Sequence, residues 1–191
     1  MNFDKIVEKR HCVRHFKTLK PVSWKHLAEI LDSARYAPCA GGIFTIKLIV
    51  VDDKKLFPKI ADACLGQTFV TQAKYIIVVC SDMEQVTRSY GKHAENYSKQ
   101  QAGAAIQNMF LKSTELGLGT CWVGAFADDT VSRVLKLPEF IVPEVLLPIG
   151  YELGKAKQKT KPDLNRVMYF DEWGFEGRYL RPRKIAHGFR T

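Results

Sequence analysis

Apolar spacing along the chain switches between helical and strand periods, and the helices come first. Residues 3–9 carry the spacing of a short helix. Ser23 stands as an N-cap before Leu27, Ile30, Leu31 and Ala34, which recur at helical intervals until Pro38 closes the run. Ile46–Val51 (I-K-L-I-V-V) is short and β-branched and predicts a strand. Asp53–Leu65 returns to the helical period through Leu56, Ile60 and Ala63. Tyr75–Cys80 is apolar throughout, the pattern of a central strand buried on both faces.

The stretch from His93 to Leu116 predicts the longest helix. Ala102, Ala104, Ala105, Ile106, Met109, Phe110 and Leu111 make it apolar over a wide face, which predicts burial. Gly117-Leu118-Gly119 ends it, and Thr120–Val123 is the next strand candidate. Asp128 or Asp129 is expected to cap a further helix through Leu135. Glu144–Glu152 (E-V-L-L-P-I-G-Y-E) is the last strong strand, with Pro148 pointing to an edge or a bulge. Helices that precede and separate the strands make a mixed α+β order. The first turn from strand to helix lacks G-x-G-x-x-G, which disfavours a doubly wound dinucleotide fold. Beyond Gly174 the periodicity fades, yet Phe175, Tyr179, Leu180, Ile185 and Phe189 are too apolar for a simply solvated tail. The chain therefore reads as one domain over residues 1–174 and a tail over 175–191 that packs on its own domain or crosses to a partner subunit.

Composition narrows this picture. With 191 residues, 46% of them hydrophobic, the chain suits one compact globular domain and excludes a disordered protein. Its longest apolar runs are strand-sized, so no membrane association is expected. The opening Met-Asn-Phe-Asp-Lys has no apolar core of a secretory leader. Cys12, Cys39, Cys64, Cys80 and Cys121 are odd in number and lack C-x-x-C spacing. That argues against a disulfide framework or zinc site and for a reducing cytoplasm. The net charge of +9 invites an acidic partner. Much of the excess, however, lies in Lys155–Lys161 and Arg178–Arg190, without the aromatic interleaving of a nucleic-acid module. Nucleic acid is therefore not the expected partner.

Three segments hold candidate chemistry. Lys9–Phe16 (K-R-H-C-V-R-H-F) places the fork-shaped donors of Arg10 and Arg14 around Cys12 and Val13, as an anion clamp or a solvated basic patch would. Cations beside Cys12 lower a thiol's pKa, although a small packed residue is the plainer reading. Ala37-Pro38-Cys39-Ala40-Gly41-Gly42 ends a helix in small residues whose glycines permit positive φ and close approach of a flat ligand. A plain helix-to-strand turn looks the same. Gly117–Phe126 (G-L-G-T-C-W-V-G-A-F) sets backbone amides beside aromatic walls, or simply flanks a buried strand. No phosphate-binding loop, G-x-S-x-G or metal-ligand spacing is present beyond the weak His11/His15 pair, and no metal is expected.

In order, R-x-x-x-R, A-P-C-A-G-G, an alanine-rich helix with Gln107-Asn108, G-L-G-T-C-W-V-G, L-P-I-G-Y-E and K-P-D-L-N-R-V follow one another. This succession resembles the FMN-dependent nitroreductase family over residues 5 to about 174. The resemblance implies an α+β homodimer with a central, mainly antiparallel sheet flanked by helices. Two FMN sites would lie at the subunit interface, each built from both chains. Arg10, His11, Cys12 and Arg14 match the segment that holds the ribityl phosphate and the pyrimidine end of the ring. Pro38, Cys39, Ala40, Gly41 and Gly42 match the segment arriving from the other subunit. Val123, Gly124 and Ala125 match the backbone beside the reactive ring nitrogen, and Lys161 lies in the late phosphate-binding motif. The implied activity is hydride transfer from NADH or NADPH to FMN, then reduction of a small organic acceptor such as a nitroaromatic or quinone in a ping-pong cycle. The cofactor carries that chemistry, so no catalytic side chain is expected. A related flavoenzyme with a dehalogenase-like or flavin-consuming activity is one alternative, and a basic nucleic-acid-binding protein, which the +9 charge alone would suggest, is the other. The family usually has serine where Cys12 and Cys39 stand, asparagine at Gly42, glutamine near Phe44 and arginine at Thr160.

Overall fold

The computed structural model describes residues 2–154 and 160–174. The chain divides into two compact units, Met1–Ala156 and Lys157–Thr191. Within the first, β1 (Ile46–Val51), β2 (Tyr75–Asp82), β3 (Gly119–Thr120) and β4 (Ile141–Gly150) form one sheet in the order β1-β2-β4-β3, antiparallel throughout. The apolar run predicted to be central is β2, buried from Tyr75 to Ser81. Its side chains alternate between two cores, as the two-residue strand period requires. Ile77 and Val79 face a core with Leu27 and Ile30 of α2 (Trp24–Ser33) and Ala105, Ile106 and Met109 of α5 (Ala94–Glu115), the long helix that follows the short α4 (Met83–Tyr90). Ile76, Val78 and Cys80 face the other, with Phe57 and Ile60 of α3 (Phe57–Ala63) and Val131 of α6 (Asp128–Leu135). Helices thus cover both faces of an antiparallel sheet. The α+β fold with its antiparallel centre is as expected.

Several boundaries differ from the sequence pattern, each for a local reason. α1 (Phe3–Lys9) and α5 form as predicted, and the Ser23 hydroxyl accepts from the His26 N–H at 3.2 Å as the N-cap of α2. Helix α2 stops at Ser33 and tightens into a 3-10 turn, Ala34–Tyr36, before Pro38. Asp53 opens a turn instead of a helix, its carboxylate accepting from the Lys55 N–H, so α3 begins only at Phe57. Ala127, not Asp128 or Asp129, is the N-cap of α6; both aspartates lie in its first turn, where the helix dipole favours them. The predicted strand Thr120–Val123 shrinks to Gly119–Thr120 plus a single bridge between Val123 and Leu146.

Pro148 marks neither an edge nor the bulge. Strand β4 is interior, and the register shift falls between Val79 and Cys80, opposite Val145 and Pro143. Leu146 exchanges both backbone bonds with Val123 at 3.0 Å, so even-numbered residues of this part of β4 point toward β3. Pro148 meets the gap between the Val123 bridge and the Gly119–Thr120 pairing, where no N–H is needed.

The segment leaving α1 extends this corner of the sheet. Cys12 bridges Thr120 in parallel and Phe16 bridges Glu152 antiparallel. The Val13 N–H donates to the Thr120 carbonyl at 2.8 Å, and the Lys17 N–H to the Tyr151 carbonyl at 2.8 Å. Val13 and Phe16, each 2% exposed, point inward beside Ala73. They lie over glycines: a Cβ on Gly119 would stand 2.7 Å from Val13, and one on Gly150 2.9 Å from Phe16. Burying the two side chains stabilises the segment by roughly 1.5–3 kcal/mol each. Among the described residues, no helix is long and apolar enough to cross a membrane.

In the second unit, a 3-10 turn spans Leu164–Arg166, and the Tyr169 and Trp173 rings lie 4.5 Å apart. The tail over 175–191 lies outside the described residues.

Gly119→Ala and Gly150→Ala should each destabilise the fold by about 1–3 kcal/mol through overpacking. Gly103→Ala, in helix α5 with open space around it, should instead stabilise by about 0.5–1 kcal/mol. Urea denaturation of the three variants checks this contrast.

Candidate functional site

Pinning Val13 and Phe16 inward turns the charged residues between and before them outward. Arg14 and His15 are exposed, and Arg10, His11 and Cys12 are half-buried. Arg10 caps the end of α1, its N–H donating to the Ile6 carbonyl. Its guanidinium lies 5.6 Å from the centroid of the Phe110 ring, and Phe110 stacks on Trp122 at 6.4 Å. This cation–π contact orients the fork while leaving its donors for another group.

His11 is held from both sides. Nδ1 lies 2.8 Å from the Lys9 carbonyl and Nε2 lies 2.9 Å from the Glu152 carboxylate. A carbonyl and a carboxylate are both acceptors, so this pairing favours the protonated ring, in which both nitrogens donate. Partial burial opposes that charge, but the Lys9 carbonyl and Glu152 outweigh it and raise the pKa above the ordinary 6.5. Cys12 is shifted the other way. The neighbouring Cys121 thiol lowers it, burial works against the charge, and the Trp122 N–H, Arg10 and Arg14 add to the effect, so its thiol is held well below the ordinary range; the Cys121 thiol donates to the Trp122 carbonyl at 3.9 Å. Cys121 itself is pushed up by its bond to Cys12 and by burial. Burial also pushes Cys64 up to about 11 and Cys80 to about 12.

Beside this cluster, Val123 is buried and locked to Leu146, while Gly124 and Ala125 are exposed. Among the described residues neither the Gly124 nor the Ala125 N–H meets a backbone carbonyl. A Cβ on Gly124 would come within 3.1 Å of the Trp122 indole nitrogen, so glycine keeps the indole in place.

The Ala37–Gly42 segment lies elsewhere. Gly41 and Gly42 adopt φ of +53° and +74°, the left-handed conformation that paired glycines permit. A Cβ on Gly41 would collide with the Tyr90 hydroxyl at 2.1 Å. Below the turn, Gln101 Oε1 accepts from the Thr45 N–H at 2.8 Å and from the Thr45 hydroxyl at 2.5 Å. The turn enters β1 at Ile46, which aligns with Ser81 and, through it, Val142. The basic segment bonds to Thr120 through Val13 and to Tyr151 through Lys17, at the other end of β4. Three inter-strand steps across and the run from Val142 to Gly150 along the sheet separate the two corners by on the order of 25–30 Å. Arg10, His11, Cys12, Arg14 and Val123–Ala125 are thus neighbours. Gly41 and Gly42 lie toward the opposite corner, beside Tyr90, whereas Tyr36, two residues before Pro38, shares a cavity with Phe3 and Ile6 of α1. Lys161 is exposed in the second unit.

Sequence spacing left several participants unnamed. Phe110, Trp122 and Cys121 sat in apolar runs that read as core or loop wall. Glu152 closed a strand pattern, and Gln101 looked like one more polar residue on a helix. Only the fold brings them to these corners.

Comparison with known proteins agrees with this architecture. The family model described as "Nitroreductase family" matches residues 7–74 and 65–151. A Methanocaldococcus jannaschii protein named as a nitroreductase is 26% identical over 186 residues, spanning 80% of this chain and 92% of its own. The FMN reductase [NAD(P)H] of Bacillus subtilis is 24% identical over 158 residues, 75% of this chain and 64% of its own. Among solved structures, NfrA2 of B. megaterium superimposes with a TM-score of 0.84 over 91% of this chain and 76% of its own. At 21% identity that likeness bears on the fold alone. An antiparallel sheet covered by helices on both faces, with a basic strand pinned at one corner, defines an α+β class. Within it, the chain belongs to the nitroreductase family.

Because folded His11 keeps its proton above pH 6.5, the stability it adds is complete below that pH and fades as pH rises through the folded midpoint. The imidazole titration read by NMR should show a midpoint above 6.5 that falls in Glu152→Gln. The stability gap between the native protein and His11→Ala should narrow as pH rises through that midpoint.

Proposed function

We propose that this chain is an FMN-dependent oxidoreductase that takes hydride from NADH or NADPH and reduces a small organic acceptor, a nitroaromatic or a quinone, in a ping-pong cycle. The observation that carries the reading is the arrangement at the Thr120–Glu152 corner. There, two guanidinium groups and a half-buried strand lie beside exposed backbone amides at Gly124 and Ala125. The donor set suits the group: FMN carries a phosphate dianion and an electron-rich pyrimidine edge, and charge-assisted bonds from Arg10 and Arg14 answer both. The FMN reductase named among the relatives supports the cofactor and the nicotinamide donor.

In this reading Arg10, Arg14 and Cys12 hold the phosphate and pyrimidine end, with the His11–Glu152 pair holding the imidazole in place beside them. The amides of Gly124 and Ala125 offer hydrogen bonds to the reactive ring nitrogen. Bound FMN supplies the hydride acceptance and electron release. Pro38, Cys39, Ala40, Gly41 and Gly42 reach the site from a second copy of the chain. The distance of Gly41 and Gly42 from Arg10 within one chain supports a homodimer with sites between subunits. Small residues and positive-φ glycines there leave room for the nicotinamide and then the acceptor to stack. The protein would work in the cytoplasm, where reduced nicotinamide is plentiful.

The purified protein should be yellow, or turn yellow on adding FMN, and should bleach on adding NADH or NADPH. A preparation that binds no FMN would overturn the proposal. Arg10→Glu and Arg14→Glu should each weaken FMN binding by roughly ten- to a hundredfold while leaving the thermal transition of the FMN-free protein in place. Fluorescence titration with FMN measures the loss.

A further inference from the structure

We propose that Cys12 and Cys121 form a reversible disulfide, a redox-modification site that ties the basic strand to the chain entering Trp122–Ala125. This inference does not depend on the flavin reading. It begins with backbone geometry: Cys12 bridges Thr120 in parallel, and the 2.8 Å bond from the Val13 N–H to the Thr120 carbonyl holds the two segments side by side. Cys121 follows Thr120 directly; its thiol donates to the Trp122 carbonyl at 3.9 Å and lies close enough to Cys12 for the two thiols to shift each other. The Trp122 N–H also donates to the Cys12 sulfur, fixing it against the same peptide. Both cysteines are free thiols; Cys12 is half-buried and open to a small oxidant, and Cys121 is buried directly behind it.

Their chemistry divides the two roles. Cys12, surrounded by the Cys121 S–H, the Trp122 N–H, Arg10 and Arg14, favours the thiolate, the form that attacks an oxidant. Cys121 keeps its proton and resolves the product. With hydrogen peroxide as oxidant, the Cys12 sulfur attacks one peroxide oxygen and the O–O bond breaks. Hydroxide leaves, takes a proton to become water, and Cys12 becomes a sulfenic acid. The Cys121 sulfur then attacks the Cys12 sulfur, the S–O bond breaks, and the departing hydroxide takes the Cys121 proton as a second water. Each sulfur has lost one electron, and peroxide has been reduced to two waters. A dithiol reverses the bond by exchange. The other cysteines lack this arrangement. Burial keeps Cys64 and Cys80 protonated in the core on one face of the sheet, and Cys39 precedes the Ala40–Gly42 turn.

The test uses the full reduced protein, treated with a few equivalents of hydrogen peroxide, denatured in iodoacetamide and mapped by mass spectrometry without reduction. Two of the five cysteines should escape alkylation and appear as a linked Cys12–Cys121 peptide, and dithiothreitol should restore all five. Cys121→Ser should stop at a Cys12 sulfenic acid that dimedone traps, and Cys12→Ser should keep all its remaining thiols alkylatable. Mapping of the native chain decides alone where a variant does not fold. A Cys12 sulfinic acid beside an alkylated Cys121, or a link joining any other pair, would overturn the proposal.

Discussion

Two side chains pressed onto two glycines set the position of the charge in this protein. Val13 on Gly119 and Phe16 on Gly150 replace ordinary side-chain contacts with direct approach to backbone, so the basic segment sits at one depth and in one register. Once those two positions face inward, Arg10 is left beside Phe110, His11 meets Glu152 and Arg14 faces solvent. The charged residues have no say in this placement. Exposed ion pairs are worth too little to set a strand's register, whereas burying two large apolar groups is worth several times as much.

From that constraint follows a division of the molecule into two corners. The sheet is rigid because β2 is buried on both faces and paired on both edges, so its ends cannot approach each other. Arg10, His11 and Arg14 gather at the Thr120–Glu152 end, and the bare glycine turn is braced at the Ile46–Ser81 end by Thr45, Gln101 and Tyr90. A small-molecule site using both ends is complete only when two chains meet. The proposed flavin site and the proposed homodimer are therefore one inference with one physical origin, the span of the sheet.

Much of this was legible in residue spacing, and the exceptions have physical causes. The run Tyr75–Cys80 announced a central strand because no polar residue interrupts it, and Ala102–Leu111 announced a buried helix by its wide apolar face. Asp53, Asp128 and Asp129 misled because an aspartate before a helix can open a turn or sit in the first helical turn as readily as it caps. Pro148 reads as an edge signal only when pairing is assumed to be continuous; the gap beside β3 removes the need for its missing N–H. The octet at Lys9–Phe16 could be noticed but not interpreted from spacing alone. Its partners Thr120, Cys121, Trp122 and Glu152 lie more than a hundred residues away, and no local period reports that contact. Gly119 and Gly150 likewise look like turn residues in the sequence, although their role is to admit Val13 and Phe16.

The central claim is that a complete site takes Arg10 and Arg14 from one chain and the Gly41–Gly42 turn from another. Subunit complementation tests it most directly: an Arg10→Glu chain and a Gly42→Trp chain, each unable to hold FMN alone, are co-expressed and their FMN content measured. Random pairing makes half the dimers mixed, each with one site free of both changes, so about a quarter of all sites should regain FMN. Failure of the mixture to bind FMN, with mixed dimers demonstrably present, would contradict the account.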